Sequence, residues 1–214
     1  MKPTKIFLIA EFIAIYVSIP LLLALTHAPR YALHACLWLL TIYSLLQLRR
    51  TPGFSWRGLW HGRGWAQARR DYAVWRFLAI LPFLVAITWF VIPERFFTFP
   101  MQRPGLWALV MLLYPLLSVI PQEIVLRSFF FERYASLFPK RMTMIVANAF
   151  CFGFAHIMMS NWIAPSFCIV GGVMFASSYA QHRSLKWVSI EHAAYGCLLF
   201  TLGLGWFFFA SGSR

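Results

Sequence analysis

Apolar runs of membrane-spanning length recur along the whole chain, and this constrains the fold more than any other feature. A spanning helix needs roughly 20 mostly apolar residues. Runs of about that size fall near 5–26, 32–48, 77–93, 105–120, 142–159, 163–181 and 187–210. The fourth continues into a more polar helical stretch at 121–134. The expectation is an all-α, polytopic transmembrane helical bundle of about seven spans, forming one membrane domain over residues 1–214. Charged residues make up 12% of the chain, whereas a soluble surface needs about 25%. The first run is long enough to span and lacks a small-residue cleavage site, so it reads as a helix rather than a signal peptide.

The net charge of +13 raises the question of nucleic acid. The position of the charge argues against it, because basic residues sit between apolar runs, where loops meet anionic lipid. With the N-terminus inside, fourteen of the 19 Lys and Arg residues fall in inner segments and four in outer ones, Arg30, Arg95, Arg103 and Arg214. The excess predicts a cytoplasmic N-terminus and an outer C-terminus. The longest polar segment, 49–76, interleaves Arg with Trp56, Trp60, Trp65 and Trp75. That mixture predicts a helix lying in the cytoplasmic headgroup layer. The four cysteines lie in or near apolar runs without CxxC spacing, and read as small buried side chains.

Ionisable groups inside a membrane are costly, so each needs a reason. Three clusters stand out. Pro121-Gln122-Glu123-Ile124-Val125-Leu126-Arg127 puts Glu123 and Arg127 four residues apart on one helix face. Phe152-Gly153-Phe154-Ala155-His156 lies within an apolar helix, and Glu191-His192-Ala193-Ala194-Tyr195-Gly196 opens the last span. Taken singly, a Glu–Arg pair is commonly a structural bracket, and a membrane histidine commonly bonds to a neighbouring helix. Three such features on three helices are harder to dismiss together. If they converge, Glu123, His156 and His192 supply a general base, a water-positioning group and an oxyanion donor. No GxSxG motif or close Ser–His dyad accompanies them, so water is the expected nucleophile and hydrolysis the expected reaction class. Glu191 is expected to do no more than meet water at the membrane edge.

The order Glu-x-x-x-Arg, then Phe-x-x-x-His, then a late His resembles the CAAX-protease and bacteriocin-processing (CPBP, or Abi) family of intramembrane proteases. The resemblance covers a catalytic core at about 115–205. It implies a glutamate and His156 activating water, with His192 and a nearby Asn stabilising the oxyanion. Phe152 would pack beside His156, and Arg127 would hold the first motif helix through a carboxylate. Two departures matter. The family's usual first motif has two adjacent glutamates, and here the first position is Gln122, which cannot accept a proton from water. The residue four after His192 is Gly196, where the family often has Asn, with Tyr195 nearby.

The expected function is therefore intramembrane endopeptidase action on a membrane-anchored peptide or protein, with Glu123, His156 and His192 catalytic and Gln122, Arg127, Phe152 and Tyr195 supporting. Glu123 is expected to be the general base, with Gln122 orienting water or substrate. The alternative is a non-catalytic scaffold or immunity-type protein of the same fold that lost its base at Gln122. A transporter would carry inverted repeats, and none is seen. No cofactor is expected. Zinc held by Glu123, His156 and His192 is the alternative, although HExxH is absent. The expected partners are the tethered substrate and membrane lipid, without nucleic acid, and the expected location is the inner (plasma) membrane of a bacterium.

Overall fold

The computed structural model describes residues 3–61 and 73–208. Residues 62–72 of the segment 49–76, including Arg63, Trp65, Arg69 and Arg70, therefore lie outside the described residues. What is described is helical, with no strand. Six helices are long and apolar enough to cross a membrane: α1 (Lys5–Leu25), α2 (Arg30–Arg49), α3 (Ala73–Val91), α4 (Pro104–Arg133), α5 (Arg141–Met159) and α6 (Ile163–His182). The protein is a multi-pass, all-α membrane protein. The last apolar run forms α7 (Leu185–Leu202) and the turn Leu204–Phe208. It falls outside those six, since Lys186, Glu191 and His192 dilute its apolar character. Two short helices, Trp56–His61 and Thr98–Gln102, sit between the long ones.

Helix α4 is the centre of the bundle. The apolar stretch at 105–120 and the polar extension at 121–134 form one helix of 30 residues. At 1.5 Å per residue it is about 45 Å long, against a hydrocarbon core of about 30 Å. Its second half is buried on every side: Val119, Glu123, Arg127 and Phe130 are each fully covered. A helix apolar all round is at home only inside a bundle, and here α2, α5 and α7 pack against it.

The helix is not regular. π-helical turns occupy Pro115–Val119 and Ile124–Phe129, on either side of Pro121. Proline lacks the N–H that the regular ladder would use. A carbonyl in a membrane interior must find a donor within the protein. Three other helices supply side-chain donors here. Tyr16 donates to the Val125 carbonyl at 2.8 Å, Thr41 to that of Pro121 at 3.4 Å, and Asn148 to that of Leu126.

A second polar knot ties α1, α2 and the end of α4. Arg133 donates through Nε and Nη2 to the Glu11 carboxylate, at 2.8 and 2.9 Å, and Tyr43 donates its hydroxyl to the same group. Glu11 is buried, with 5% of its side chain exposed. Removing an acceptor that holds a buried fork leaves its donors unmatched. Glu11→Ala is expected to cost about 2–3 kcal/mol, read as a lower thermal unfolding midpoint in detergent. An unchanged midpoint would show that the knot is incidental to stability.

Candidate functional site

The three clusters meet around α4. Glu123, fully buried, accepts a hydrogen bond at Oε1 from His192 Nδ1 at 2.8 Å, which brings α7 onto α4. Its other oxygen, Oε2, lies 3.3 Å from Arg127 Nε, an ion-pair contact whose angle falls short of a hydrogen bond. The bracket expected from the four-residue spacing is therefore present. Arg127 is fully buried and donates from Nη1 to Asn148 Oδ1 at 2.7 Å. Its guanidinium also lies over the Phe152 ring, 5.0 Å from the centroid, as cation–π pairing favours. Arg127 is thus held by a carboxylate, an amide and an aromatic face.

Phe152 links the two histidines. Its ring meets His156 edge-on at 5.0 Å and His192 at 5.4 Å. On its other face His192 stacks against Phe175, with centroids 4.7 Å apart and planes 20° apart. These contacts leave the imidazole little freedom to turn. His156 ends α5 and turns its Nδ1 to the Phe152 carbonyl at 2.8 Å. A carbonyl only accepts, so Nδ1 carries the proton and Nε2 of neutral His156 carries the lone pair. The same logic applies at His192, where Nδ1–H donates to the carboxylate. His192 Nε2 lies 3.3 Å from the Tyr114 hydroxyl.

Beside this cluster is a cavity of about 870 Å³, lined mostly by apolar side chains. Gln122, His156, His192, Tyr114 and Tyr195 contribute polar groups to one part of its wall, and Arg30 and His34 of α2 to another. Glu123 does not line it, and neither does any other carboxylate among the described residues. Gln122 and Glu123 diverge as successive helical residues must, by about 100°: Gln122 faces the cavity and Glu123 faces protein. Gln122 Oε1 is buried with no hydrogen-bond partner among the described residues. Tyr195 packs its ring against Phe77 at 5.1 Å. Among the described residues no cluster of three or more His, Cys, Asp or Glu side chains is arranged to hold a metal ion.

Sequence reasoning missed two residues of this cluster, Asn148 and Tyr114. Asn148 left a signal, an amide in the middle of an apolar span. Tyr114 left none, since one tyrosine in an apolar run is ordinary. The expectation for Glu191 is corrected. It is buried rather than exposed at the membrane edge, and Arg76 of α3 donates to its carboxylate. Arg76 also donates to Ser178 of α6 at 3.0 Å, so α3, α6 and α7 share one ionic clasp. A carboxylate near a helix start looks solvated in sequence, and a partner a hundred residues upstream is invisible there.

Residues 104–198, from the start of α4 through most of α7, match the family model described as type II CAAX prenyl endopeptidase Rce1-like. The matched segment is a little under half of the chain. The match includes all three motifs from which the resemblance was read. No curated protein and no solved structure matches the chain.

The buried pair makes a stability prediction. Removing one member of a buried ion pair strands the other charge and typically costs about 3–5 kcal/mol. Arg127→Ala is expected to destabilise by that order, measured by thermal unfolding in detergent or nanodiscs. Arg127→Met combined with Glu123→Gln, which removes both charges, should cost less than Arg127→Ala alone. A double variant as unstable as the single one would refute the electrostatic account.

Proposed function

We propose that the protein is an intramembrane endopeptidase of the CAAX-protease kind, which hydrolyses a peptide bond in a membrane-tethered substrate using water activated by His192. The observation that carries the reading is the 2.8 Å contact between His192 Nδ1 and the buried Glu123 carboxylate, with the imidazole on the cavity wall. A base that takes a proton inside a protein becomes a buried cation and needs an anion beside it. His192 has one, whereas the Nδ1 of His156 faces a neutral carbonyl. Glu123 has its oxygens turned to His192 and Arg127, so it acts through His192 and not on water directly.

In this scheme water attacks the scissile carbonyl carbon while His192 Nε2 takes one of its protons. The carbonyl π pair becomes the oxyanion. Collapse breaks the C–N bond, and the leaving amine takes the proton back from His192. Glu123 fixes the tautomer and balances the transient imidazolium. His156 Nε2 accepts the water's other hydrogen and the Gln122 amide N–H donates to its oxygen, which holds it in place. The substrate occupies the apolar cavity as an extended segment next to lipid. The volume of about 870 Å³ is within the range that encloses most of a small ligand.

The test is cleavage, in proteoliposomes, of fluorogenic peptides tethered by a farnesylated C-terminal cysteine or by a transmembrane anchor. His192→Ala and Glu123→Gln should each lower the rate on the order of 10²-fold or more, and His156→Ala should also be severe. Gln122→Ala should hurt less, and Gln122→Glu should remain active. Wild-type cleavage by folded Glu123→Gln protein would sink the mechanism.

One observation favours a second reading, a membrane scaffold without activity: no carboxylate among the described residues lines the cavity, and Gln122 stands where the family's usual glutamate would be. An inactive wild type that gains cleavage on Gln122→Glu would establish that reading.

The proposed membrane is the bacterial plasma membrane, with the N-terminus cytoplasmic. In support, Ser184, in the basic turn after α6, donates to the carbonyl of Trp60 at 3.0 Å. That contact groups the short Trp56–His61 helix with another segment expected inside. Trp60→Cys should label only from the cytoplasmic face, and labelling only from outside would invert the topology.

A further inference from the structure

We propose that Tyr114 is a catalytic residue of the same site, donating the hydrogen bond that stabilises the oxyanion. The inference rests on the peptidase reading and assigns a role which that reading leaves open. Peptide hydrolysis builds negative charge on the carbonyl oxygen, and a fixed donor aimed at that oxygen lowers the barrier. The donor must sit close to the base, because water held at the base attacks the carbon bearing that oxygen.

Tyr114 meets this requirement. It projects from α4 into the cavity wall, and its hydroxyl is 3.3 Å from His192 Nε2. That is the nitrogen that would take the proton from water. A contact of this length is weak enough to be exchanged for the substrate oxygen. A tyrosine hydroxyl carries no charge when it donates, so it can donate without repelling the developing charge.

The surroundings hold the ring there. His192, Gly196 and Phe200 fall at four-residue spacing on one face of α7, and Tyr114 lies along that face. Phe200 meets its ring edge-on at 5.2 Å, and His192 at 6.3 Å. Between them, a Cβ on Gly196 would fall on the Tyr114 hydroxyl and ring carbons. The absence of a side chain at 196 is therefore what admits the phenol. The departure at Gly196 and the presence of Tyr114 are one feature: the space over α7 beside His192 is filled from α4.

The test uses the tethered peptides described above. Tyr114→Phe keeps the ring and removes only the donor. It should lower kcat on the order of 10²-fold, with KM and the thermal midpoint nearly unchanged. Tyr114→Ala combined with Gly196→Asn puts an amide donor into the vacated space, and should cleave faster than Tyr114→Ala alone. Tyr114→Phe cleaving within twofold of an active wild type would overturn the assignment while leaving the peptidase reading intact. A double variant no faster than Tyr114→Ala would overturn the claim that this space is the donor's position. A wild type that cleaves none of the peptides would remove the peptidase reading, and this inference with it.

Discussion

A guanidinium and a carboxylate, both fully withdrawn from solvent, sit one helical turn apart at the centre of the bundle. Neither charge could be there alone. Stripping an ion of water costs several kcal/mol even after the surroundings relax, and one attraction seldom offsets it. The remaining valences therefore dictate what packs around α4. Arg127 requires the Asn148 amide, which fixes the register of α5. Glu123 has a second oxygen to satisfy, which fixes His192 and with it α7. The aromatic faces of Phe152 and Phe175 cover what is left. Three helices are thus positioned by one ion pair, and the cavity is the space they leave beside it.

The irregularity of α4 has the same logic. A 30-residue helix through the middle of a protein would give its neighbours a regular surface. π-helical turns occur disproportionately at functional sites, because they redirect a few side chains without breaking the helix. Here they flank Gln122 and Glu123. The cost is a set of backbone carbonyls that need other donors, and Tyr16, Thr41 and Asn148 provide them. Each of those donors belongs to a different helix, so redirecting α4 also ties it to α1, α2 and α5.

The spans were legible because lipid demands long apolar runs, and a run of 20 residues is hard to mistake. The pairing of Arg127 with Glu123 was legible from helical spacing alone. The contact between Glu123 and His192, 69 residues apart, could be guessed only from the cost of leaving each alone. The direction each side chain faces was not legible. Gln122 and Glu123 are neighbours in sequence, and which one meets the cavity depends on the rotation of α4 within the bundle. Tyr114 and Arg76 were missed for a related reason. Their importance lies wholly in distant partners, and their own neighbourhoods in sequence are those of any interfacial or lipid-facing residue.

The placement of polar groups bears on how hydrolysis can occur in an apolar chamber. Water entering such a cavity has few partners, so it collects where donors and acceptors are concentrated. Gln122, His156, His192 and Tyr114 form such a wall, while Leu, Ile and Phe side chains dominate the rest of the lining. A hydrophobic substrate segment would lie along the apolar part and present its backbone to the polar wall. The charged groups, Glu123 and Arg127, stand one layer behind, where substrate cannot neutralise them and lipid cannot reach them. In that position the Glu123 carboxylate faces the imidazole in front of it. This division separates entry, which an apolar surface favours, from proton transfer, which requires a buried charge.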